Sequence, residues 1–170
     1  MKSQFMKMMV AALAACCLFL TGAGQAHAQY NGKVDVQMFQ HFDNGDYGLM
    51  DFIGARVGYF FTDSFSAGIG YETGMSAMKN NHATQLLGIN LSHVQGTGKK
   101  TQLISSLVGG MMWDKNVQDN TFAKKPYIGV EEQIRFHLNS KSYIGLSARY
   151  NVAKDYIQGS FIGITIGCRF

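Results

Sequence analysis

Proline occurs once in the 170-residue chain, at Pro126, cysteine three times, and charged residues make up 15% of the whole. Each scarcity removes a class of protein. A single proline is incompatible with proline-rich linkers or stalks. Cys16 and Cys17 lie in an apolar leader, so only Cys168 remains beyond it and no internal disulfide can form. Charge this sparse, without clustered Lys and Arg, excludes the basic stripe that nucleic-acid binding requires. Long hydrophobic runs are also missing, apart from Met8 to Leu20, which is too short to remain in a membrane as a spanning helix.

The leader has its own logic. Lys2 and Lys7 precede the apolar run, and Ala26, His27 and Ala28 supply small residues at the outer positions of a cleavage site before Gln29. Residues 1–28 are therefore predicted to be a Sec-type signal peptide and residues 29–170 one mature domain. A lipoprotein-type signal ending at Cys16 is the competing reading. It is disfavoured because the apolar run continues past that cysteine through Leu18, Phe19 and Leu20. Without Lys2 and Lys7 the mature chain has 13 cations against 11 acids, so the basic balance of the precursor carries no information about a partner.

What the mature chain does contain is alternation with a period of two. Ile53, Ala55, Val57, Tyr59 and Phe61 alternate with Phe52, Gly54, Arg56, Gly58 and Phe60. After Thr62, Asp63 and Ser64, the pattern resumes with Phe65, Ala67, Ile69 and Tyr71 against Ser66, Gly68, Gly70 and Glu72. This is the mark of a β-hairpin whose two faces meet different solvents. Ile128, Val130, Ile134 and Phe136 repeat it, as do Ile144, Leu146, Ala148 and Tyr150, and then Ile162, Ile164, Ile166, Cys168 and Phe170. Weaker strands are predicted over Lys33 to His41, Ala83 to Val94 and Thr101 to Met112. In the last, Leu103, Leu107 and Met111 compete with Ile104, Val108 and Met112 for the apolar face, and alternation leaves the choice open.

Eight strands result, with short turns near 62–64, 95–100 and 139–141 and longer polar loops near 42–48, 75–82, 113–125 and 151–159. That asymmetry is expected of an outer-membrane barrel with short periplasmic turns. A soluble ligand-binding barrel has the same period, but its apolar face points inward. The polar face here carries small residues such as Gly54, Gly58, Gly68 and Gly145, which suit a narrow lumen, so the fold class read is an all-β, eight-stranded antiparallel up-and-down transmembrane barrel. Tyr59, Phe61, Phe65, Phe136 and Phe170 are expected to form one interfacial girdle, and Trp113, Tyr127, Tyr150 and Tyr156 the other.

Over the whole mature chain, and most strongly from Gly54 to Tyr71 and in the last strand ending at Phe170, the sequence resembles the small outer-membrane barrels grouped with the OmpA transmembrane domain, OmpX and the opacity proteins. The resemblance implies a porin-family membrane protein with no enzymatic activity and no cofactor. It also implies that Ile162, Ile164, Ile166, Cys168 and Phe170 form a signal for the barrel-assembly machinery, although Cys168 stands where an aromatic is commoner. The OmpA likeness stops at the barrel, because no peptidoglycan-binding domain follows.

The alternation points Asp35, Arg56, Glu72, Glu131, Arg135 and Arg149 inward together, with Lys33 and Arg169 at the periplasmic mouth. Charges removed from water require partners, so an interior ion-pair network is expected, with trapped water around each charge as the competing reading. The competing enzyme reading, a lipid-modifying enzyme or protease at the outer rim, would draw on His41, Asp43, Asp46, Ser76 and His82, whose spacing shows no metal or nucleophile motif. Cys168 on the lipid face reads as a small apolar filler. Expected partners are outer-membrane lipid and lipopolysaccharide; the loop residues Asp114, Lys115, Asp119, Lys124, Lys125, Lys154 and Asp155 read first as solvated, with lipopolysaccharide phosphates or divalent ions as the alternative ligands. No nucleic acid is expected, and the protein is read as a monomer.

Overall fold

A computed structural model describes residues 30–45, 48–76, 82–96, 100–116, 120–154 and 156–170, and of 156–162 only the main chain. The eight strands are β1 (Val34–Gly45), β2 (Gly48–Phe60), β3 (Phe65–Ser76), β4 (His82–Gln95), β5 (Thr101–Asn116), β6 (Thr121–His137), β7 (Ser142–Ala153) and β8 (Tyr156–Arg169). Each pairs antiparallel with its neighbours in sequence, and β1 closes on β8, so the sheet has no free edge within the barrel wall.

The two faces separate by parity. Outward positions carry Met38, Ile53, Ile69, Ile89, Leu107, Ile128, Leu146 and Ile166, each between 49% and 65% exposed. Inward positions carry Arg56, Glu72, Asn90, Glu131 and Arg149 beside Phe39, Phe52, Phe60 and Tyr143, all buried. An exterior this apolar belongs in hydrocarbon, where a closed sheet also satisfies every backbone donor and acceptor in the wall.

The strands run further than side-chain polarity suggested. The segments 42–48, 113–125 and 151–159, read as loops, are largely ladder: β1 and β2 remain paired out to Gly45 opposite Gly48, β5 and β6 out to Asn116 opposite Thr121, and β7 and β8 out to Ala153 opposite Tyr156. A ladder needs backbone partners rather than apolar side chains, so polar residues mark where hydrocarbon stops but not where pairing stops. Pro126 is accommodated for the same reason. Pairing of β6 with β7 begins only at Tyr127 opposite Ala153, so Pro126 lies where β6 has become an edge on that side and its missing N–H costs nothing.

The open question in β5 has an answer. Ile104, Val108 and Met112 point inward and are buried, while Leu107 is 49% exposed on the lipid face with Leu103 and Met111 at the same parity. Both sets are apolar because the lumen needs apolar filler too. Tyr30, Phe60, Val94 and Ile104 cluster at the short-turn end, and Met50, Phe52, Leu86, Val108, Met112, Tyr127 and Ala153 cluster at the other. Tyr127 therefore belongs to the lumen and not to the outer girdle, and the Tyr156 side chain lies outside the described residues.

Candidate functional site

Interior glycines determine what the lumen can hold. A Cβ at Gly54 would lie 2.6 Å from the Phe39 ring, and one at Gly74 would lie 2.5 Å from Phe52. Each glycine thus vacates the volume that an aromatic from the neighbouring strand fills. Eight strands leave a lumen wide enough for side chains and little else.

Between the two apolar clusters lies the charged layer. Arg56 on β2 reaches across to Glu131 on β6 with both terminal nitrogens donating, at 3.1 and 3.0 Å, and its guanidinium stands 5.2 Å from the Phe39 ring centre. Arg149 on β7 donates to Asp43 on β1 at 2.8 Å and also to Glu72 on β3, with its guanidinium over Phe52. Nearer the short turns, Arg135 donates to Asp35 at 3.0 Å and to Gln133, while Tyr143 donates to the same Asp35 oxygen at 2.9 Å. Planar guanidinium groups suit this role, because one edge binds a carboxylate while the face lies on an aromatic ring. Asp43 is the member that alternation did not assign to the network, because β1 runs four residues past His41, to Gly45.

Polar side chains line the rest of the wall. Asn90 donates to Ser92, which bonds Ser106 at 2.8 Å, and Gln133 donates to Thr165 at 2.7 Å. Of the residues weighed for a rim enzyme, Ser76 and His82 stand at the adjoining ends of β3 and β4, next to the Met75–Ala83 pair, and Ser76 is buried. His41 is buried in the lumen beside Ser147 (3.5 Å), Asp43 is bound to Arg149, and His82 lies 3.1 Å from Asp114, which also accepts from Thr84. Asp46 lies outside the described residues. So do Asp119 and Asp155, which had been considered for lipopolysaccharide. Among the described residues no group of three or more His, Cys, Asp or Glu stands close enough to hold a metal ion.

Along β8, the parity that puts Ile164 and Ile166 outward at 49% and 62% exposure continues through half-buried Cys168 to Phe170 at 63%. The side chain of Ile162 lies outside the described residues. One acid escaped the alternation argument altogether. Glu132 shares outward parity with Val130 and Ile134, and accepts a 2.9 Å hydrogen bond from Ser105 on β5. It places a carboxyl on the lipid face in the middle of an apolar strand. Its parity alone could have revealed this, since Glu131 and Glu132 are adjacent and cannot both face the lumen.

No protein-family model matches the sequence. No curated protein matches it either. Similarity appears at the level of structure. The N-terminal β-barrel domain of Pseudomonas aeruginosa OprF superimposes with a TM-score of 0.68 at 14% identity, covering 84% of this chain and 100% of that one. Neisserial surface protein A gives 0.59 at 14% identity, with 81% and 96% covered. The attachment invasion locus protein Ail of Yersinia pestis gives 0.57 at 14% identity, with 82% and 99% covered. At such identity the likeness concerns the fold: a small eight-stranded barrel of the type found in outer-membrane proteins.

Proposed function

We propose that the protein is an integral barrel of a bacterial outer membrane, exported through the Sec route and inserted by the barrel-assembly machinery, whose role is non-enzymatic and whose lumen is closed. The observation that carries the closed lumen is the stacking of its contents: apolar clusters at both ends and, between them, arginine and carboxylate pairs that cross the barrel. Such a barrel supports contact with outer-membrane lipid and lipopolysaccharide on its outside and a structural or surface-contact role. Bulk permeation does not fit it. The burial of His41 in the lumen and the bond of Asp43 to Arg149 favour this reading over a rim enzyme built on them.

The test has two stages. Fractionation should recover the protein with the outer membrane, and unheated samples should migrate differently from boiled ones on a denaturing gel. Purified protein in planar bilayers should then show small, intermittent currents at most. A large steady conductance from the unaltered protein would replace the closed barrel by an open pore.

A further inference from the structure

The short-turn end of the lumen opens into a cavity of about 720 Å³, lined on its polar side by Lys33, Lys100, Lys141, His137 and Arg169. Backbone pairing sets this cluster. The Lys141 carbonyl accepts the Arg169 N–H at 2.8 Å, and the Lys100 carbonyl accepts the His137 N–H at 2.8 Å, so cations from two turns and from β8 are held around one opening. At the same opening the Phe170 main-chain oxygen takes the Val34 N–H at 3.0 Å.

Arg169 is the anomalous member. It is 4% exposed, and none of its three guanidinium nitrogens has a hydrogen-bond partner. Asp35 presents Oδ1 at 3.7 Å from Nε, an ion pair too long for a hydrogen bond, while its Oδ2 accepts from Arg135 and Tyr143, so the two terminal nitrogens of Arg169 stay without an acceptor. Above Arg169 lies the ring of Tyr30, with its centre 3.7 Å from the guanidinium carbon. A buried guanidinium whose donors find no acceptor is costly, and Arg56, Arg135 and Arg149 each hydrogen-bond a carboxylate where Arg169 has only the longer ion pair. An arginine left with donors to spare, inside a cavity lined by three lysines, matches the requirements of an oxyanion.

We propose that this cavity is a binding site for a phosphate group, held by Arg169 once the Tyr30 ring turns aside, with Lys100 and Lys141 drawing the anion in. Exposed Leu138 and Phe170 flank the opening, so the phosphate can belong to a phospholipid headgroup whose chains lie along these residues, or be free in solution. Which compartment it faces rests on the proposed periplasmic placement of the short turns; the anion chemistry does not.

The test uses the isotope-labelled full-length mature barrel in a phosphate-free amine-oxide detergent. Inorganic phosphate, titrated at constant ionic strength against chloride, should shift the Arg169 Nε–H and Tyr30 resonances saturably. Arg169→Gln should weaken binding about tenfold or more. The double change Lys100→Gln and Lys141→Gln lies in exposed turns that leave the barrel wall intact, and should weaken binding about threefold to tenfold. Lys115→Gln at the opposite end should leave it unchanged. In nanodiscs, shifts of the same resonances with phosphatidylglycerol and no added phosphate would assign the headgroup as the source, and shifts with inorganic phosphate alone would assign the free anion. No response to either probe, or saturation undiminished by both variants, would overturn the site.

Discussion

The lumen and the lipid face are built from the same strands, residue by residue in alternation, yet they obey opposite rules. On the lipid face each apolar side chain meets an interchangeable solvent, so Ile, Val, Leu, Met and Ala serve equally and register matters more than identity. Inside, each residue meets one particular partner: Phe39 over Gly54, Arg56 on Glu131, Arg149 between Glu72 and Asp43. The outside therefore tolerates exchange of similar residues and the inside does not.

The sharpest test of that contrast is Glu131→Ala, which strands Arg56 in the lumen and should cost about 3 to 5 kcal/mol in denaturant unfolding from lipid vesicles. The paired change Arg56→Met with Glu131→Leu removes both charges and should recover most of that loss. A Glu131→Ala protein as stable as the parent would mean that the pair contributes nothing. Next in size, Ile164→Arg puts a charge on the lipid face and should cost about 2 to 4 kcal/mol if it lies near the midplane, whereas Ile164→Leu should pass unnoticed by the same measurement. Gly54→Val tests the interior from the side of volume: displacing Phe39 should cost about 1 to 3 kcal/mol, read from the shift of the unfolding midpoint. Glu132→Leu should run the other way and stabilise by about 1 kcal/mol, because it removes a polar group from hydrocarbon. Smallest of all, Lys115→Gln, on an exposed position beyond the belt, should stay within about 0.5 kcal/mol.

The same contrast explains which parts of the structure were readable beforehand. Strand number, alternation and the outward apolar face follow from a two-solvent pattern, and a stretch such as Ile53 to Phe61 displays it without help from the rest of the chain. The contents of the lumen were legible as a set of charges but not as pairs, because the partner of Arg56 lies 75 residues away and is chosen by barrel circumference. The facing of β5 was illegible because its inward residues, Ile104, Val108 and Met112, are as apolar as its outward ones. Strand ends above the belt were misread because pairing continues where hydrophobicity stops, and Asp43 was missed with them. Glu132 was passed over because an acid with outward parity contradicts the pattern that identified the strand.

Asp35 has a consequence for the order of events during assembly. It sits on the first strand opposite Arg169 on the last, and it also accepts from Arg135 and Tyr143, so contributions from three later strands converge on one early carboxylate. All seven other strand pairings join neighbours and can form as local hairpins, but this junction cannot exist until the chain's two ends meet. Until then Arg135 and Arg169 lack the acid that they share. A slip of β1 by one residue would present Val34 or Val36 to them in its place. Asp35 therefore ties the closing seam to this register, the one in which its carboxylate faces Arg135, Tyr143 and Arg169 together.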